Sequence, residues 1–83
     1  MNITLRYFAS LREALGTGGA LQVEPGTSVG ALRDRLIAQS PAHAAVLART
    51  RAVRCAVDQL LCDEAMVLEA GSEVAFFPPV TGG

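Results

Sequence analysis

The sequence contains no lysine, because all seven basic residues are arginine. It also contains no tryptophan, no long hydrophobic run and only one histidine. Without lysine the chain has no side-chain amine for Schiff-base chemistry or for accepting an isopeptide bond. No stretch of about 18 apolar residues is present, so no segment is predicted to span a bilayer. The N-terminal residues lack the basic, apolar and small-residue order of a signal peptide, and we therefore expect a cytoplasmic protein.

The residues that usually build active sites are also scarce. His43 stands in an alanine-rich segment with no carboxylate nearby, which is typical of a structural or surface histidine. Cys55 and Cys62, the only cysteines, have no zinc-binding spacing and no partners to complete four ligands. The glycines around position 18 lack the lysine and hydroxyl residue of a phosphate loop. We therefore expect no metal site, no bound cofactor and no active site within this chain.

Length and composition indicate one small folded domain. The chain has 83 residues, of which 51% are hydrophobic and 18% charged, values that favour a compact globule over disorder. A net charge of −1 gives no electrostatic reason to expect nucleic acid or an anionic membrane as a partner.

The first half of the chain predicts two strands and two helices. Apolar residues alternate with polar ones over residues 3–8, which is typical of a half-buried strand. A short helix follows, with Ser10 as its N-cap and Gly16 just past its end. The stretch 20–24 predicts a second strand after a glycine turn. Thr27 or Ser28 then caps the main helix, which Pro41 prevents from continuing past Ser40.

The second half predicts further strands and a turn of helix. Residues 42–49 can add a helical turn, and alternation over 53–58 predicts a third strand. A weaker fourth strand surrounds Leu60 and Leu61, and a final strand over 74–77 stops at Pro78. The sequence thus predicts an α+β fold in which a mixed four- to five-stranded sheet carries one main helix on one face.

The opposite face of this sheet is expected to carry an apolar patch. If Ile3, Val74 and the other alternating aliphatic residues face the helix, Phe8 and Phe77 point away from it, and Leu61 can join them. Exposed aromatic side chains of this kind indicate a docking surface. The alternative is that one or both curl over an edge of the sheet and pack as a small extension of the core.

The C-terminal residues predict a tail rather than a part of the core. Pro78 and Pro79 favour an extended exit, so we divide the chain into a domain over 1–79 and a flexible tail over 80–83. Such a tail reaches about 13 Å, and a slot in a partner that is too narrow for a side chain can still admit Gly82 and Gly83. A carboxylate is a poor electrophile, so its useful chemistry is activation by ATP followed by attack of sulfur or nitrogen. A frayed end without a role is the other interpretation of two glycines.

Several segments together resemble a known family over essentially the whole chain. LRYFASLREALG, TSVGALRDRL, CAVDQLL and above all GSEVAFFPPVTGG are similar to the sulfur-carrier subunits of molybdopterin synthase, which have a ubiquitin-like β-grasp fold. Small departures are Asp58, where relatives often carry asparagine, and Arg54 and Cys62, at positions that are more often aliphatic.

The resemblance implies a chemistry for the last residues. Gly83 is expected to be adenylated by a ubiquitin-activating-like adenylyltransferase that uses ATP, and then converted to a thiocarboxylate by a cysteine-desulfurase sulfur donor system. The carrier itself is non-catalytic and donates sulfur to cyclic pyranopterin monophosphate in the large synthase subunit, as part of a heterotetramer. The family's docking patch corresponds to Phe8, Leu61 and Phe77, and the inserted segment to Pro78, Pro79, Val80, Thr81, Gly82 and Gly83.

Three other functions are compatible with the residues alone. A related carrier could supply sulfur for thiamine or cysteine synthesis, and a ubiquitin-like modifier could become attached to other proteins. A plain binding module with an incidental tail is the third, and it predicts that Gly83 can be changed without loss of function.

Overall fold

The computed structural model describes residues 1–79. The elements in chain order are β1 (Asn2–Tyr7), α1 (Ala9–Leu15), β2 (Gly18–Gln22), α2 (Val29–Gln39), α3 (Pro41–Leu47), β3 (Arg54–Val57), β4 (Leu60–Cys62) and β5 (Glu73–Phe77). This confirms the α+β class and the upper number of predicted strands. No helix among the described residues is both long and apolar enough to cross a membrane.

The five strands form one mixed sheet in the order β2-β1-β5-β3-β4. The first and last strands, β1 and β5, lie side by side in the middle and run parallel. An antiparallel neighbour extends the sheet on each side, β2 next to β1 and the β3–β4 hairpin next to β5. The last strand therefore ends in the centre of the sheet, and the chain leaves it from there.

The core lies between one face of the sheet and α2. On β1 the residues alternate strictly between exposed and buried, as the sequence predicts. The helix contributes its own apolar stripe, because Val29 and Leu32 are fully covered and Leu36 is 2% exposed. Other core side chains include Ile3, Leu5, Tyr7, Leu11, Val23, Leu47, Cys55, Val57, Leu68, Val74 and Phe76.

Helix capping separates α2 from α3. Ser28, rather than Thr27, is the N-cap of α2, and its Oγ accepts a hydrogen bond of 3.1 Å from the amide of Ala31. Ser40 caps α3 in the same way through the amide of His43, at 3.2 Å. The predicted helical turn after Pro41 is thus a complete short helix, and Leu47 at its end is fully buried.

Two predicted boundaries are wrong. Ser10 does not cap α1, because the chain turns directly from β1 into the helix through Ala9 at φ 53°, so Ser10 falls inside the first turn and Phe8 takes the cap position. The second strand begins at Gly18, earlier than predicted, because this glycine pairs with Arg6. A Cβ at Gly18 would lie 2.0 Å from the carbonyl oxygen of Leu5, so only glycine permits the pairing there.

A buried arginine ties the helical layer to the loop before β5. Arg33 of α2 is 4% exposed, and its Nε donates to the carbonyl of Leu47 at 2.7 Å. Its other nitrogens donate to Ala48 at 2.8 Å, to Arg51 at 3.1 Å and to the carboxylate of Glu64 at 2.7 Å. These bonds satisfy a charged group that would otherwise be costly to bury.

Candidate docking site

A depression of about 450 Å³ lies on the face of the sheet opposite α2. Its lining comes from β1, β3, β4, β5 and the two flanking positions Phe8 and Gln59. The lining residues are Arg6, Phe8, Ala56, Gln59, Leu61, Glu73, Ala75 and Phe77, which together we call the docking groove.

The floor of the docking groove is made of small side chains. Ala56 of β3 lies directly opposite Ala75 of β5, and Leu61 of β4 lies directly opposite Ala56. The two alanines are only 6% and 8% exposed although they point away from α2. Because the floor residues are short and their neighbours are bulky, the sheet has a hollow here instead of a flat surface.

Three bulky apolar side chains stand around this floor. Leu61 is 72% exposed and Phe8 43% exposed, while Phe77 is half-buried. The structure therefore places all three on the outer face, as strand alternation predicts for Phe8 and Phe77, and brings them together around one hollow. Phe8 remains open to solvent, so the alternative of an extended core does not describe it, whereas Phe77 is half-buried beside the hollow.

The remaining part of the rim is polar. Arg6 Nε lies 3.4 Å from Glu73 Oε2, and this ion pair is partly exposed beside the hollow. Sequence reasoning missed Arg6, Gln59 and Glu73, together with the alanine floor. The signal was nevertheless present, because Glu73 and Ala75 share strand parity with Phe77, as Arg6 does with Phe8.

A tight turn fixes the strand that carries Leu61. Asp58 and Gln59 both have positive φ, 50° and 68°, as a two-residue hairpin of type I′ requires. The Asp58 amide donates to the carbonyl of Glu73 at 2.8 Å, and its carboxylate accepts from the Glu73 amide at 2.9 Å. Asp58 stands where relatives often carry asparagine, and these two hydrogen bonds anchor the turn to β5.

The chain leaves the sheet next to this groove. Phe77 is both the last residue of β5 and part of the groove lining. Pro78 and Pro79 follow without regular structure and are half-buried. The site residues Val80, Thr81, Gly82 and Gly83 of the sequence analysis lie outside the described residues.

The isolated histidine and the cysteines lie away from the docking groove. Ser40 Oγ is 2.6 Å from Nδ1 of His43, and the ring meets Tyr7 edge-on with centroids 6.5 Å apart. Cys55 is buried, Cys62 is half-buried, and both are free thiols. Within residues 1–79 no three His, Cys, Asp or Glu side chains are grouped so that they could hold a metal ion.

Comparisons with known proteins agree over the full length of the chain. A molybdopterin synthase sulfur carrier subunit from Escherichia coli (strain K12) is 41% identical over 81 residues, which cover 98% of this chain and 99% of the relative. The small archaeal modifier protein 1 of Haloferax volcanii has a crystal structure with a TM-score of 0.77 at 25% identity, covering 95% of this chain and 98% of that one.

A third similar protein has the same fold and was solved as a complex of two subunits. The structure of a protein–protein complex of subunits 1 and 2 of molybdopterin-converting factor from Helicobacter pylori contains a chain with a TM-score of 0.71 and 21% identity, with all of both chains covered. The family model described as the ThiS family matches residues 5–83. On this match and on the full-length identity to a curated relative, the chain belongs to the ThiS family, with a ubiquitin-like β-grasp fold.

Proposed function

We propose that this chain is the sulfur carrier of molybdopterin synthesis and that its terminal glycine carries the sulfur. The observation that carries the proposal is the position of the docking groove, whose lining residue Phe77 immediately precedes the Pro78–Pro79 exit of the chain. We therefore expect a partner that binds in this groove to receive residues 80–83. The 41% identity to a carrier subunit over nearly the whole of both chains supports the assignment.

The proposed chemistry takes place at the carboxylate of Gly83. An adenylyltransferase joins this carboxylate to AMP, and pyrophosphate leaves. A sulfur nucleophile from the sulfur donor system then displaces AMP and leaves a thiocarboxylate. Because the activation consumes ATP, we place the carrier in the cytoplasm. The adenylyltransferase binds this ATP, and we expect the carrier itself to bind no cofactor.

The proposed acceptor is cyclic pyranopterin monophosphate in the large synthase subunit. Two carriers each deliver one sulfur to form the dithiolene, and each returns to an ordinary carboxylate. The apolar walls formed by Phe8, Leu61 and Phe77 suit a protein partner, because aromatic and aliphatic anchors dominate the centres of such interfaces. The complex of subunits 1 and 2 of molybdopterin-converting factor, whose subunit 1 shares this fold, supports a large-subunit partner.

The proposal is tested with a reconstituted sulfur-transfer assay. The thiocarboxylated chain is mixed with the large subunit and cyclic pyranopterin monophosphate, and dithiolene formation is measured beside a chain that lacks Gly83. We expect product only with the full chain, whereas the shortened chain should keep the same Tm because Gly83 follows the folded domain. Equal product from both chains would refute the assignment. Sulfur transfer to a thiamine or cysteine precursor, but not to cyclic pyranopterin monophosphate, would show that the protein is a related sulfur carrier instead.

A protein modifier is the second candidate, favoured by the likeness to small archaeal modifier protein 1. In that case the activated Gly83 forms an isopeptide bond to a lysine of another protein. Since this protein has no lysine, one copy cannot be attached to a side-chain amine of another copy to build a polymer. Incubating the activated carrier with lysine-containing proteins separates the two functions, because a modifier adds its whole mass to them and a sulfur carrier does not.

A further inference from the structure

The two cysteines of the chain face each other across the β3–β4 hairpin. The two-residue turn at Asp58 and Gln59 sets the register, which places Cys55 directly opposite Cys62. Their Sγ atoms lie 3.8 Å apart, and Cys55 Sγ donates a hydrogen bond of 3.3 Å to the carbonyl of Cys62. Both side chains lie on the core side of the sheet, away from the docking groove.

The geometry is close to that of a disulfide. Opposed residues of an antiparallel pair have Cβ atoms about 4.5–5.5 Å apart, and a disulfide needs about 3.8 Å. Strand β4 must therefore close on β3 by roughly an ångström. It can do so because it is a short edge strand that, among residues 1–79, pairs with β3 alone.

The two thiols differ in access to solutes. Cys62 is half-buried and Cys55 is 5% exposed, so a dissolved reagent meets Cys62 first. Burial, reinforced by the neighbouring Cys62, raises the pKa of the Cys55 thiol to about 12. Cys55 is thus inert towards solutes, and it can react only with a sulfur already held beside it.

We propose that Cys55 and Cys62 form a modification site, which closes to an intrachain disulfide when it meets a low-molecular-weight disulfide such as oxidised glutathione. The thiolate of Cys62 attacks one glutathione sulfur, and the other glutathione leaves as a thiolate. Cys55 then gives up its proton and attacks Cys62 Sγ, which expels the second glutathione. Two thiols are oxidised to one disulfide, and the two electrons and two protons end on two molecules of reduced glutathione.

Proximity makes the second step favourable despite the high pKa of Cys55. The attacking and accepting sulfurs are held in one hairpin, so the step is intramolecular and has a high effective concentration. The disulfide links β3 covalently to β4, the strand that also carries Leu61 directly before Cys62. The site does not depend on the proposed function, because neither the residues nor the reagent belong to the sulfur-transfer step.

The test exposes the full chain to glutathione mixtures of increasing oxidised fraction, followed by an acid quench and intact-mass measurement. We expect the loss of two hydrogen atoms and the disappearance of both thiols towards maleimide, reversed by a reductant. Cleavage before Asp34, Asp58 and Asp63 places the cysteines in separate fragments, 34–57 and 58–62, which should remain joined until reduction. A chain that stops at a glutathione adduct, dimerises through Cys62 or stays unmodified would overturn the proposal.

Two variants serve as matched controls. Cys55→Ala should accumulate a glutathione adduct on Cys62, whereas Cys62→Ser should leave the buried Cys55 unmodified. Far-UV circular dichroism checks that both variants are folded. In the wild-type chain the closed hairpin should raise Tm by roughly 5–10 °C, because the bond restricts the unfolded state. An unchanged or lower Tm on oxidation would mean that the pair does not close in the native fold, and would also overturn the proposal.

Discussion

Glu64 holds two arginines at the junction between α2 and the loop that precedes β5. One carboxylate oxygen accepts from buried Arg33 at 2.7 Å, and the other accepts from Arg49, which also donates to the carbonyl of Gly30 at 3.0 Å. Burial acts to raise the pKa of Glu64, but the hydrogen bonds from Arg49 and Arg33 outweigh it, so the pKa lies below its usual value. The carboxylate is therefore bound in its charged form.

Replacing Glu64 tests the importance of this charge. We expect Glu64→Gln to lower the free energy of unfolding at neutral pH by roughly 2 kcal/mol, because it leaves the buried Arg33 cation without its counter-charge. The pKa of Glu64 is lower in the folded state than in the unfolded state. The stabilisation that Glu64 gives the wild-type protein is therefore complete above the unfolded-state pKa, and it is lost as the pH falls through the folded-state pKa.

Urea unfolding at neutral and acidic pH measures both effects. Glu69→Gln is the matched control, since Glu69 is exposed and its side chain makes no ion pair among the described residues. An equal loss in both variants, or a loss at Glu64 that does not shrink in acid, would show that the counter-charge contributes nothing.

At the scale of single residues, the sequence predicts which way a side chain points where alternation along a strand sets its direction. It does not predict burial that depends on partners far away in the chain. Phe8, which directly follows β1, and Phe77 of β5 lie on the outer face because side chains alternate along a strand, and the sequence displays this alternation directly. The burial of Arg33 is invisible there, because a lone arginine on a helix is typical of a solvated face. Its partners, the carbonyls of Leu47 and Ala48 and the carboxylate of Glu64, come close only in the folded chain.

At the scale of elements, the β1–β2 pairing depends on one glycine. Gly18 has φ 100°, and an added Cβ would meet the Leu5 carbonyl oxygen, whereas Gly26 has φ 86° with open space around it. We expect Gly26→Ala to cost about 1 kcal/mol from backbone strain alone and Gly18→Ala about 3 kcal/mol, because β2 must also move away from β1.

Thermal and urea unfolding of the two alanine variants measure this difference. Because both positions have a positive φ, Gly26→Ala controls for strain and isolates the contribution of the clash. Equal losses of stability would mean that the close approach of Gly18 to Leu5 is not a constraint on the hairpin.

Strand β4 provides a matched pair for testing the docking groove. Leu60 and Leu61 are neighbours and are almost equally exposed, at 73% and 72%, but only Leu61 lines the groove. We expect Leu61→Asp to weaken binding to the large subunit by roughly 10- to 100-fold, and Leu60→Asp to change it by less than about threefold.

Isothermal titration calorimetry with the purified large subunit gives both affinities. Either aspartate disturbs the edge strand to a similar extent, so the comparison removes general effects on folding. Similar affinities for the two variants would place the partner elsewhere on the carrier.

The element order was largely predictable, and the exceptions have physical causes. Alternation identified β1 and β5, and a cap at Thr27 or Ser28 together with Pro41 bounded the main helix. Helix α3 was predicted as no more than a turn, because a short alanine-rich segment has little periodicity of its own. It becomes a helix through its Ser40 cap and the burial of Leu47.

At the scale of the whole molecule, the docking groove and the proposed chemistry lie in different parts of the chain. The sheet carries the docking groove, and the Arg33–Glu64 pair ties α2 to the loop before β5. The proposed chemistry lies beyond Pro79, in residues 80–83. The fold alone does not identify this chemistry, since a β-grasp domain serves carriers and modifiers alike. The terminal motif and the full-length relatives are what favour a sulfur carrier over the other candidates.

The mass of the C-terminal tryptic fragment shows whether Gly83 carries the sulfur. Arg54 is the last basic residue, so trypsin releases residues 55–83 as one peptide that contains Gly83. After incubation with the adenylyltransferase, ATP and a sulfide source, we predict that this peptide gains the difference between one sulfur and one oxygen, and that a chain lacking Gly83 gains nothing. Addition of a whole sulfur atom, which indicates a cysteine persulfide, or no change while the enzyme modifies a control carrier, would contradict the account.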